Sequence, residues 1–500
     1  MADDAAAQVG FIESVRLYGQ YDSTMLNSFQ GLGPTRGWSA EMWCEQGLVT
    51  DSGSSFSIFE THAYFLHYLL GYLAKILDFT VLKDLHTSVL SLNLFIVGSW
   101  FCAVTVLFLF IKKRSTHKLA PIILIIFVLT QPLVSFQLNG LTFVTKGFIL
   151  PVIISLIILV RKSLTKTDFL LIVLMQLLAS LIDERSSLLS GVVTFIFIVL
   201  NKKINKKDRR MQGILVLCLL QIAWFFYWAK FIQININYTD ALNIENIFFQ
   251  LTNSFSINGL LPLTINLGIA NLTMLMFILI SRRIEFIVPA LVSILPNLLI
   301  SGGGVEKDQF WTQYHSNYFP YLIIFSVLSI LYFLESKKSN LVLFAITLSI
   351  GINLIHPVDE DQGIKKISSN IRGIQNSIGL TNKDDLNYLR QVAYERDKIV
   401  ADIKPGSLIS AAPWIMPSLV ANGHIFINQY PRGIKDAEYA FAEYDFNKQK
   451  YVVHPWYYDE ITTLAIGKCV TEAINRREVL STLRIENIAG LYLMRINFGN

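Results

Sequence analysis

The sequence predicts an all-α polytopic membrane protein with a small α/β domain at its C-terminal end. Of its 500 residues, 53% are hydrophobic and only 16% are charged, and the mean hydropathy is +0.47. A soluble domain carries about 25% charged residues. Long apolar runs alternate with short basic tracts between residues 88 and 356. Beyond them, four short β-rich runs, "SLISA", "HIFIN", "YVVHP" and "GLYLMRI", alternate with helical stretches such as 384–399 and 460–479. Three regions are predicted: 1–87, 88–356 and 357–500.

Apolar runs of sufficient length predict the membrane spans, because a helix needs about 20 apolar residues to cross the hydrocarbon. Shorter runs also cross where the bilayer thins or the helix packs inside protein. We predict ten crossings, at 88–111, 119–136, 142–160, 168–182, 186–200, 211–232, 262–281, 284–301, 318–336 and 340–356.

The basic tracts set the predicted orientation. Each one follows an odd-numbered crossing, so all of them fall on one side, and the positive-inside rule makes that side cytoplasmic. The first region, the break at 183–185, the loops 233–261 and 302–317, and the tail after residue 356 then face outward. The net charge of +5 comes from these tracts. It therefore does not indicate a nucleic-acid partner.

Residues 56–79 leave two interpretations open. The run is apolar enough for an eleventh crossing, but it contains five ionisable side chains, and residues 1–55 carry seven acidic residues against Arg16 and Arg36. A cytoplasmic flank would be basic. The charge pattern favours an amphipathic helix that lies in the outer interface.

Cysteines and the N-terminus add limited information. Cys102 and Cys218 lie in apolar runs, whereas Cys44 and Cys469 lie in polar regions without metal-ligand spacing. Thiolate metal binding is not predicted, and a disulfide between the two polar cysteines stays open. The first twenty residues have no apolar core, so no signal peptide is predicted.

Asp183, Glu184 and Arg185 interrupt an apolar stretch that runs from residue 169 to 200. The two apolar runs that they join have only about 15 residues each, too few for both to reach bulk water unless the turn is recessed. An ionised group at mid-bilayer costs about 3 kcal/mol, so such groups face a cavity or one another. Either Asp183 pairs with Arg185 to hold a hairpin, or the charges line a site with Glu184 as the reactive group.

The outward loop "SGGGVEKDQFWTQYHSNYFP" (301–320) is a second candidate region. Three glycines and Lys307 would suit a phosphate, although three glycines also make an ordinary flexible turn. Tyr314 and His315 lie at headgroup depth. A neutral histidine there exchanges a proton near pH 7, but the pair would serve equally as an interface anchor. Taken alone, Asp22 is a turn carboxylate. His62 follows Glu60 by two residues, which places the two on different faces of a helix, so the pair is not a metal motif.

Several short motifs together resemble a known family: Tyr21-Asp22, "FETH" (59–62), Glu184 in a broken span, "QYHSNYFP" (313–320) and "PGSLISAAPWIMPSLVANGHIFINQYP" (405–431). They resemble an uncharacterised family of bacterial membrane proteins that is grouped with the GT-C superfamily of integral-membrane glycosyltransferases. The resemblance covers residues 18–445. The sequence departs from the family at Asn27, where a second acidic residue is usual, and at Ser418, where a histidine is common. It also lacks the span expected before Asp22, so we expect an altered or incomplete N-terminus.

The resemblance implies a GT-C-like fold and transfer of a sugar from a polyprenyl-phosphate-linked donor to an extracytoplasmic acceptor, with membrane lipids as further partners. It implies three catalytic residues, Asp22, Glu184 and His315, and two substrate-binding residues, His62 and Tyr314. From their charge and predicted outward position, Arg185 and Lys307 are two further candidate substrate-binding residues, which would stabilise the departing phosphate. A divalent cation such as Mg²⁺, held by Asp22 and a second carboxylate, is an open alternative for charge stabilisation. Two other functions remain: a secondary transporter or flippase that uses the charges of the broken helix, and a non-catalytic assembly protein.

Overall fold

The computed structural model describes residues 2–19, 39–49, 64–80, 86–115, 117–131, 133–134, 143–161, 164–236, 271–299, 316–335, 339–355, 399–412, 415–445, 450–453, 460–486 and 492–498. The chain divides into two compact units. The first comprises Met1–Thr61, His67–Leu92 and Asn382–Asn500, and the second comprises His62–Leu66 and Asn93–Thr381.

The helices of six residues or more among the described residues are, in chain order, α1 (Ala2–Tyr18), α2 (Leu66–Leu77), α3 (Thr87–Arg114), α4 (Ala120–Leu129), α5 (Ile149–Leu159), α6 (Lys166–Ile182), α7 (Glu184–Leu200), α8 (Arg209–Ile236), α9 (Leu272–Ile280), α10 (Ile284–Leu299), α11 (Phe319–Leu334), α12 (Ser339–Ile355), α13 (Met416–Ala421) and α14 (Glu460–Asn475). The strands are β1 (Ile409–Ala411), β2 (Ile427–Gln429), β3 (Tyr439–Asp445), β4 (Lys450–Val452), β5 (Val479–Glu486) and β6 (Tyr492–Phe498).

A mostly helical chain with a small C-terminal sheet confirms the coarse fold prediction. A helix overlaps each of the ten predicted spans, α3 through α12. Within the described residues, two helices are long and apolar enough to cross a bilayer, Thr87–Arg114 and Arg209–Trp228, and six more apolar helices have 10 to 17 residues. The ten helices are therefore confirmed as helices, whereas their crossing of a membrane stays a prediction.

Helix α2 occupies the second half of the ambiguous run 56–79. Its twelve residues make it about 18 Å long, shorter than the roughly 30 Å hydrocarbon core. His67 and Ala74 are buried, while Leu69 and Ile76 are more than half exposed. An exposed apolar side is what a helix lying in the interface presents to lipid, and the interfacial position of α2 stays a prediction.

In the second unit, which we call the helical unit, buried polar side chains hold neighbouring helices together. Ser190 Oγ donates to Gln176 Oε1 at 2.6 Å, and Gln221 Nε2 donates to the Gln176 carbonyl at 2.9 Å and to Ser180 Oγ at 3.1 Å. The hydroxyls of Ser180 and Ser187 lie 3.0 Å apart. Helices α6, α7 and α8 are thus joined by contacts of the kind that associate helices in lipid.

Helices α7 and α8 also approach closely. A Cβ atom added at Gly191 of α7 would lie 2.7 Å from the Cys218 carbonyl oxygen of α8. Real Cβ atoms do not come so near to backbone oxygen, so only glycine allows this helix separation.

Helix α6 begins with a complete cap. Thr165 Oγ1 accepts from the Asp168 backbone N–H, and the Asp168 side chain accepts from the Thr165 backbone N–H. Arg161 adds an ion pair to Asp168 at 2.5 Å. The capping box fixes the first turn of α6 at the end that is opposite to the 183–185 break.

The first unit contains a six-stranded sheet in the region that was predicted to be an α/β domain. The predicted helical stretch 384–399 lies outside the described residues apart from Ile399. The sheet has the strand order β2-β1-β3-β6-β5, with β4 paired to β3. Strand β1 is parallel to β2 and β3, whereas β3, β6 and β5 pair antiparallel. Four of these strands overlap the predicted β-rich runs, and α14 lies in the predicted helical stretch 460–479. Strands β3 and β5 and helix α13 were not predicted.

Helix α1 is docked in the first unit by a buried ionic network. Glu13 is 3% exposed and pairs with Arg16 at 2.5 Å, and Ser88 Oγ donates to Glu13 Oε2 at 2.5 Å. Arg16 also pairs with Asp78 at 2.8 Å, and Thr87 Oγ1 donates to the same carboxylate at 2.7 Å. The Glu13 hydrogen bond raises the pKa of Arg16. The network joins α1 to the residues that flank α2 and α3.

The disulfide that the sequence left open is present. Cys44 is bonded to Cys469 of α14, and their Cα atoms are 5.5 Å apart. Cys102 and Cys218 are free thiols.

Candidate functional site

The candidate site lies at the break between α6 and α7. The two helices have 17 residues each and are separated by the single residue Asp183, whose backbone is extended at φ −164° and ψ 169°. Asp183 Oδ1 accepts the Ser186 backbone N–H at 2.5 Å, so the carboxylate caps the N-terminus of α7. A carboxylate there also matches the positive end of the helix dipole. A helix of 17 residues is about 25 Å long. Both helices are therefore short, in agreement with the two apolar runs of about 15 residues that the sequence predicts.

The pairing of Asp183 with Arg185, one of the two predicted arrangements, is present. Arg185 Nε lies 3.3 Å from Asp183 Oδ2, and the Asp183 side chain is fully buried. The Arg185 side chain is 29% exposed, so its guanidinium reaches the surface of the unit while pairing inward. Glu184 is buried, with 4% of its surface exposed. The pairing does not exclude a site, because both partners border the same break.

Two further chain segments meet the break. Arg185 Nη2 lies 3.4 Å from Tyr64 Oη, and Ser186 Oγ donates to Asn317 Oδ1 at 3.2 Å. Ser186 and Asn317 are both buried. Contacts over 121 and 131 residues of sequence therefore gather the break, the residues before α2 and the residues before α11 at one end of the helical unit.

The start of α9 joins the same end through α11. Asn271 Nδ2 donates to Tyr318 Oη at 3.1 Å, and both side chains are completely buried. Because Tyr318 follows Asn317 directly, the first residues of α9 lie close to the segment that contacts the break. This end of the unit is consequently rich in buried polar groups.

The structure describes two of the seven predicted site residues, Glu184 and Arg185. The other five lie outside the described residues: Asp22, His62, Lys307, Tyr314 and His315. Their roles stay predictions.

Sequence reasoning missed the residues that tie this end together: Tyr64, Ser186, Asn271, Asn317 and Tyr318. Each is a polar residue near the first turn of an apolar helix, which is the signal that would have found them. That signal is weak, because polar residues at helix starts are common caps.

Metal binding is not supported by the described part of the site. Among the described residues, no group of three or more histidine, cysteine, aspartate or glutamate side chains is arranged to hold a metal ion. The Asp183 carboxylate already accepts the Ser186 N–H and pairs with Arg185. A positively charged side chain beside a carboxylate competes with a metal ion for that carboxylate.

Comparisons with known proteins do not show a family for this chain. No protein-family model matches the chain, and no curated protein matches its sequence. Among solved structures, the chain is similar to the crystal structure of the Archaeoglobus fulgidus oligosaccharyltransferase in complex with zinc and sulfate, at 12% identity and a TM-score of 0.38, over 94% of this chain and 67% of that chain. A similarity at this level carries no argument about activity.

Proposed function

We propose that the chain is an integral membrane glycosyltransferase of the GT-C type, which transfers a sugar from a polyprenyl-phosphate-linked donor to an extracytoplasmic acceptor. The observation that carries the proposal is the convergence at the α6–α7 break, where Arg185 contacts Tyr64 and Ser186 contacts Asn317. Tyr64 follows the motif "FETH" by two residues, and Asn317 lies within the motif "QYHSNYFP", and the family resemblance singles out both motifs. Convergence of scattered polar residues is what an active site requires.

Chain geometry limits how far two of the predicted residues lie from the break. Consecutive residues span at most about 3.6 Å, so a Cα atom two residues away lies within about 7 Å. His62 precedes Tyr64 by two residues, and His315 precedes Asn317 by two. We propose that both histidines belong to the same site as these two described residues. For Asp22 and Lys307 no such limit holds, and their place in the site is part of the proposal.

The outward orientation has support from two independent features. Basic tracts follow α3, α5, α7, α9 and α11, and by the positive-inside rule this supports an outward position for the α6–α7 break. In the first unit, the Cys44–Cys469 bond is typical of an oxidising compartment. We therefore propose that residues 1–87 and the C-terminal domain face outward.

In the proposed reaction, Asp22 accepts the proton of the acceptor hydroxyl while the hydroxyl oxygen bonds to the anomeric carbon. The bond from that carbon to the donor phosphate breaks on the opposite face, so the configuration inverts. Arg185 and Lys307 stabilise the charge on the departing phosphate. His315 serves as a proton donor or acceptor to the bound substrates, and Glu184, His62 and Tyr314 orient the sugar and the acceptor.

A divalent cation such as Mg²⁺ stays an alternative to the two basic residues. When bound, such an ion would neutralise phosphate charge. Asp22 and Glu184 are the carboxylates that would hold it in this proposal, because Asp183 is already paired with Arg185.

A second function is favoured by one observation, the broken helix itself. Charges at a break between two half-length helices also occur in secondary carriers, where they bind the coupling ion. A carrier would move substrate across liposomes without forming a new glycosidic bond. Measuring product formation and uptake on the same proteoliposomes separates the two functions.

The test of the proposal uses the purified full chain in liposomes with a polyprenyl-phosphate-linked sugar. We expect Asp22→Asn and Glu184→Gln to lower the transfer rate by about a hundredfold or more, because each removes a group that acts in the transition state. Glu472→Gln is the matched control, since the Glu472 side chain is 66% exposed on α14. Full transfer by both site variants, with normal folding, would remove these residues from the mechanism.

A further inference from the structure

Residues 39–49, from the first loop of the sequence, form part of the core of the C-terminal domain. Trp43 and Leu48 are 2% and 1% exposed. They belong to one hydrophobic cluster with residues of the sheet, of α14 and of the adjoining turns: Tyr430, Ile434, Ala440, Ala442, Val453, Ile466, Val470, Ala473, Ile474, Ile496 and Phe498. The segment therefore completes this core and does not merely rest on its surface.

Backbone contacts fix the same segment in place. The Lys435 backbone N–H donates to the Leu48 carbonyl at 3.0 Å, and Lys435 Nζ donates to the Cys44 carbonyl at 2.8 Å. The π-helical turn Trp43–Gly47 wraps around its own tryptophan, since a Cβ atom at Gly47 would lie 2.2 Å from the Trp43 ring. Lys435 therefore contacts residues near both ends of this turn. Position 47 has to be glycine because any Cβ atom there would overlap the Trp43 ring.

The Cys44–Cys469 disulfide closes the attachment covalently across 425 residues of sequence. At the other end of the first loop, Arg16 of α1 pairs with Glu13 and Asp78. The described segments on either side of Asp22 in the sequence, α1 and residues 39–49, are therefore both fixed within the first unit.

We propose that residues 39–49 are a clamp segment, that the C-terminal domain holds the first loop through it, and that the Cys44–Cys469 bond is a redox-dependent lock. The effect of the lock on sugar transfer rests on the proposed function. The C-terminal domain then positions the loop that carries the proposed base. Positioning matters because a displacement of about 1 Å costs up to a hundredfold in rate.

Formation of the lock needs an oxidant. Two thiols lose two electrons and two protons when the sulfur–sulfur bond forms, and a disulfide-bearing oxidoreductase of the outer compartment accepts them by thiol–disulfide exchange. Its own disulfide becomes a dithiol. A partner of that class is therefore part of the inference.

The first test counts thiols in the full chain, which has four cysteines. The protein is isolated without reductant, denatured, and reacted with a polyethylene-glycol maleimide that adds a fixed mass to each thiol. We expect two additions before reduction, at Cys102 and Cys218, and four afterwards. Four additions before reduction would overturn the lock.

The second test measures whether the lock acts on function, using reversible reduction of folded protein in liposomes. We expect reduction to lower the melting temperature by on the order of 10 °C, to slow sugar transfer about tenfold or more, and to be reversed by reoxidation. The double variant C44S/C469S should behave as reduced protein and not respond to reductant. C102S is the matched control and should behave as wild type.

The outcomes separate the two proposals. A disulfide and a shift in melting temperature without any sugar transfer by the wild type would support the clamp and overturn the proposed function. Full transfer by folded, reduced protein would overturn the lock as a positioning device.

Discussion

Ser186 Oγ donates a hydrogen bond to Asn317 Oδ1 at 3.2 Å, and both side chains are buried. Ser186 lies in the first turn of α7 and Asn317 lies two residues before α11. This contact links the charged break to the segment that contains His315. Loss of it would loosen the proposed site at its centre.

Removing this contact should reveal coupling between the two residues. We expect Ser186→Ala and Asn317→Ala each to destabilise the protein by about 1 kcal/mol, and the double variant to cost less than their sum by about 0.5 to 1.5 kcal/mol. Thermal unfolding of the four proteins measures the difference. Ser326→Ala is the control for Ser186→Ala, because Ser326 Oγ donates only to the Ile323 carbonyl of its own helix. Simple additivity would show that the contact does not contribute.

The ion pair at the break yields a second prediction. Asp183→Asn keeps an acceptor for the Ser186 N–H but leaves Arg185 without its carboxylate, so we expect a loss of about 1 to 3 kcal/mol in the free energy of unfolding. Adding Arg185→Met should recover part of it. Arg161→Met, which removes a pair whose arginine is 54% exposed, should cost about 1 kcal/mol or less. Equal losses at both pairs would contradict the burial argument.

Helix packing provides a third prediction with a matched control. Gly191→Ala should destabilise the protein by about 1 to 3 kcal/mol, because the new Cβ atom would meet the Cys218 carbonyl at 2.7 Å. Gly98→Ala, in α3, meets nothing within 4 Å and should be neutral or stabilising by about 0.5 to 1 kcal/mol. The melting temperatures of the two variants, each compared with that of the wild type, measure both effects. A tolerated alanine at position 191 would mean that α7 and α8 lie further apart.

Acid should destabilise the first unit through His424. This side chain is 5% exposed, and burial lowers its pKa, partly offset by a hydrogen bond with the Val400 backbone. Because the unfolded chain binds a proton more readily than the folded one, the free energy of unfolding should fall as the pH drops through about 6.5. We expect His424→Gln to flatten the dependence of melting temperature on pH. An unchanged slope in His424→Gln would assign the effect to another group.

The helices could be predicted because each apolar run carries its own signal. Hydrophobic length alone located α3 through α12, and the one-residue break was found because three charges interrupt an apolar stretch. The sheet was partly predicted for the same reason. Strand β3 was missed because its sequence "YAFAEYD" mixes alanine with acidic residues, and its burial comes from neighbouring strands on both sides.

Contacts between distant segments could not be predicted in this way. Nothing near Trp43 in the sequence indicates that it packs with Ile496, and nothing near Ser186 indicates Asn317. The disulfide was left open because two cysteines in polar regions satisfy no spacing rule until folding brings them together. Long-range pairing is a property of the packed chain, which a single sequence without repeats does not display.

The proposed function requires that the first unit faces outward and that the basic tracts of the second unit lie in the cytoplasm. Single cysteines at Lys75 and Lys404, and at Lys203 as the opposite-side control, are all at exposed positions and can be placed in a C102S/C218S background. Intact cells are then treated with a membrane-impermeant maleimide. We predict labelling at 75 and 404 without permeabilisation, and at 203 only after it. Labelling of 203 in intact cells, with 75 and 404 protected, would contradict an outward-facing site.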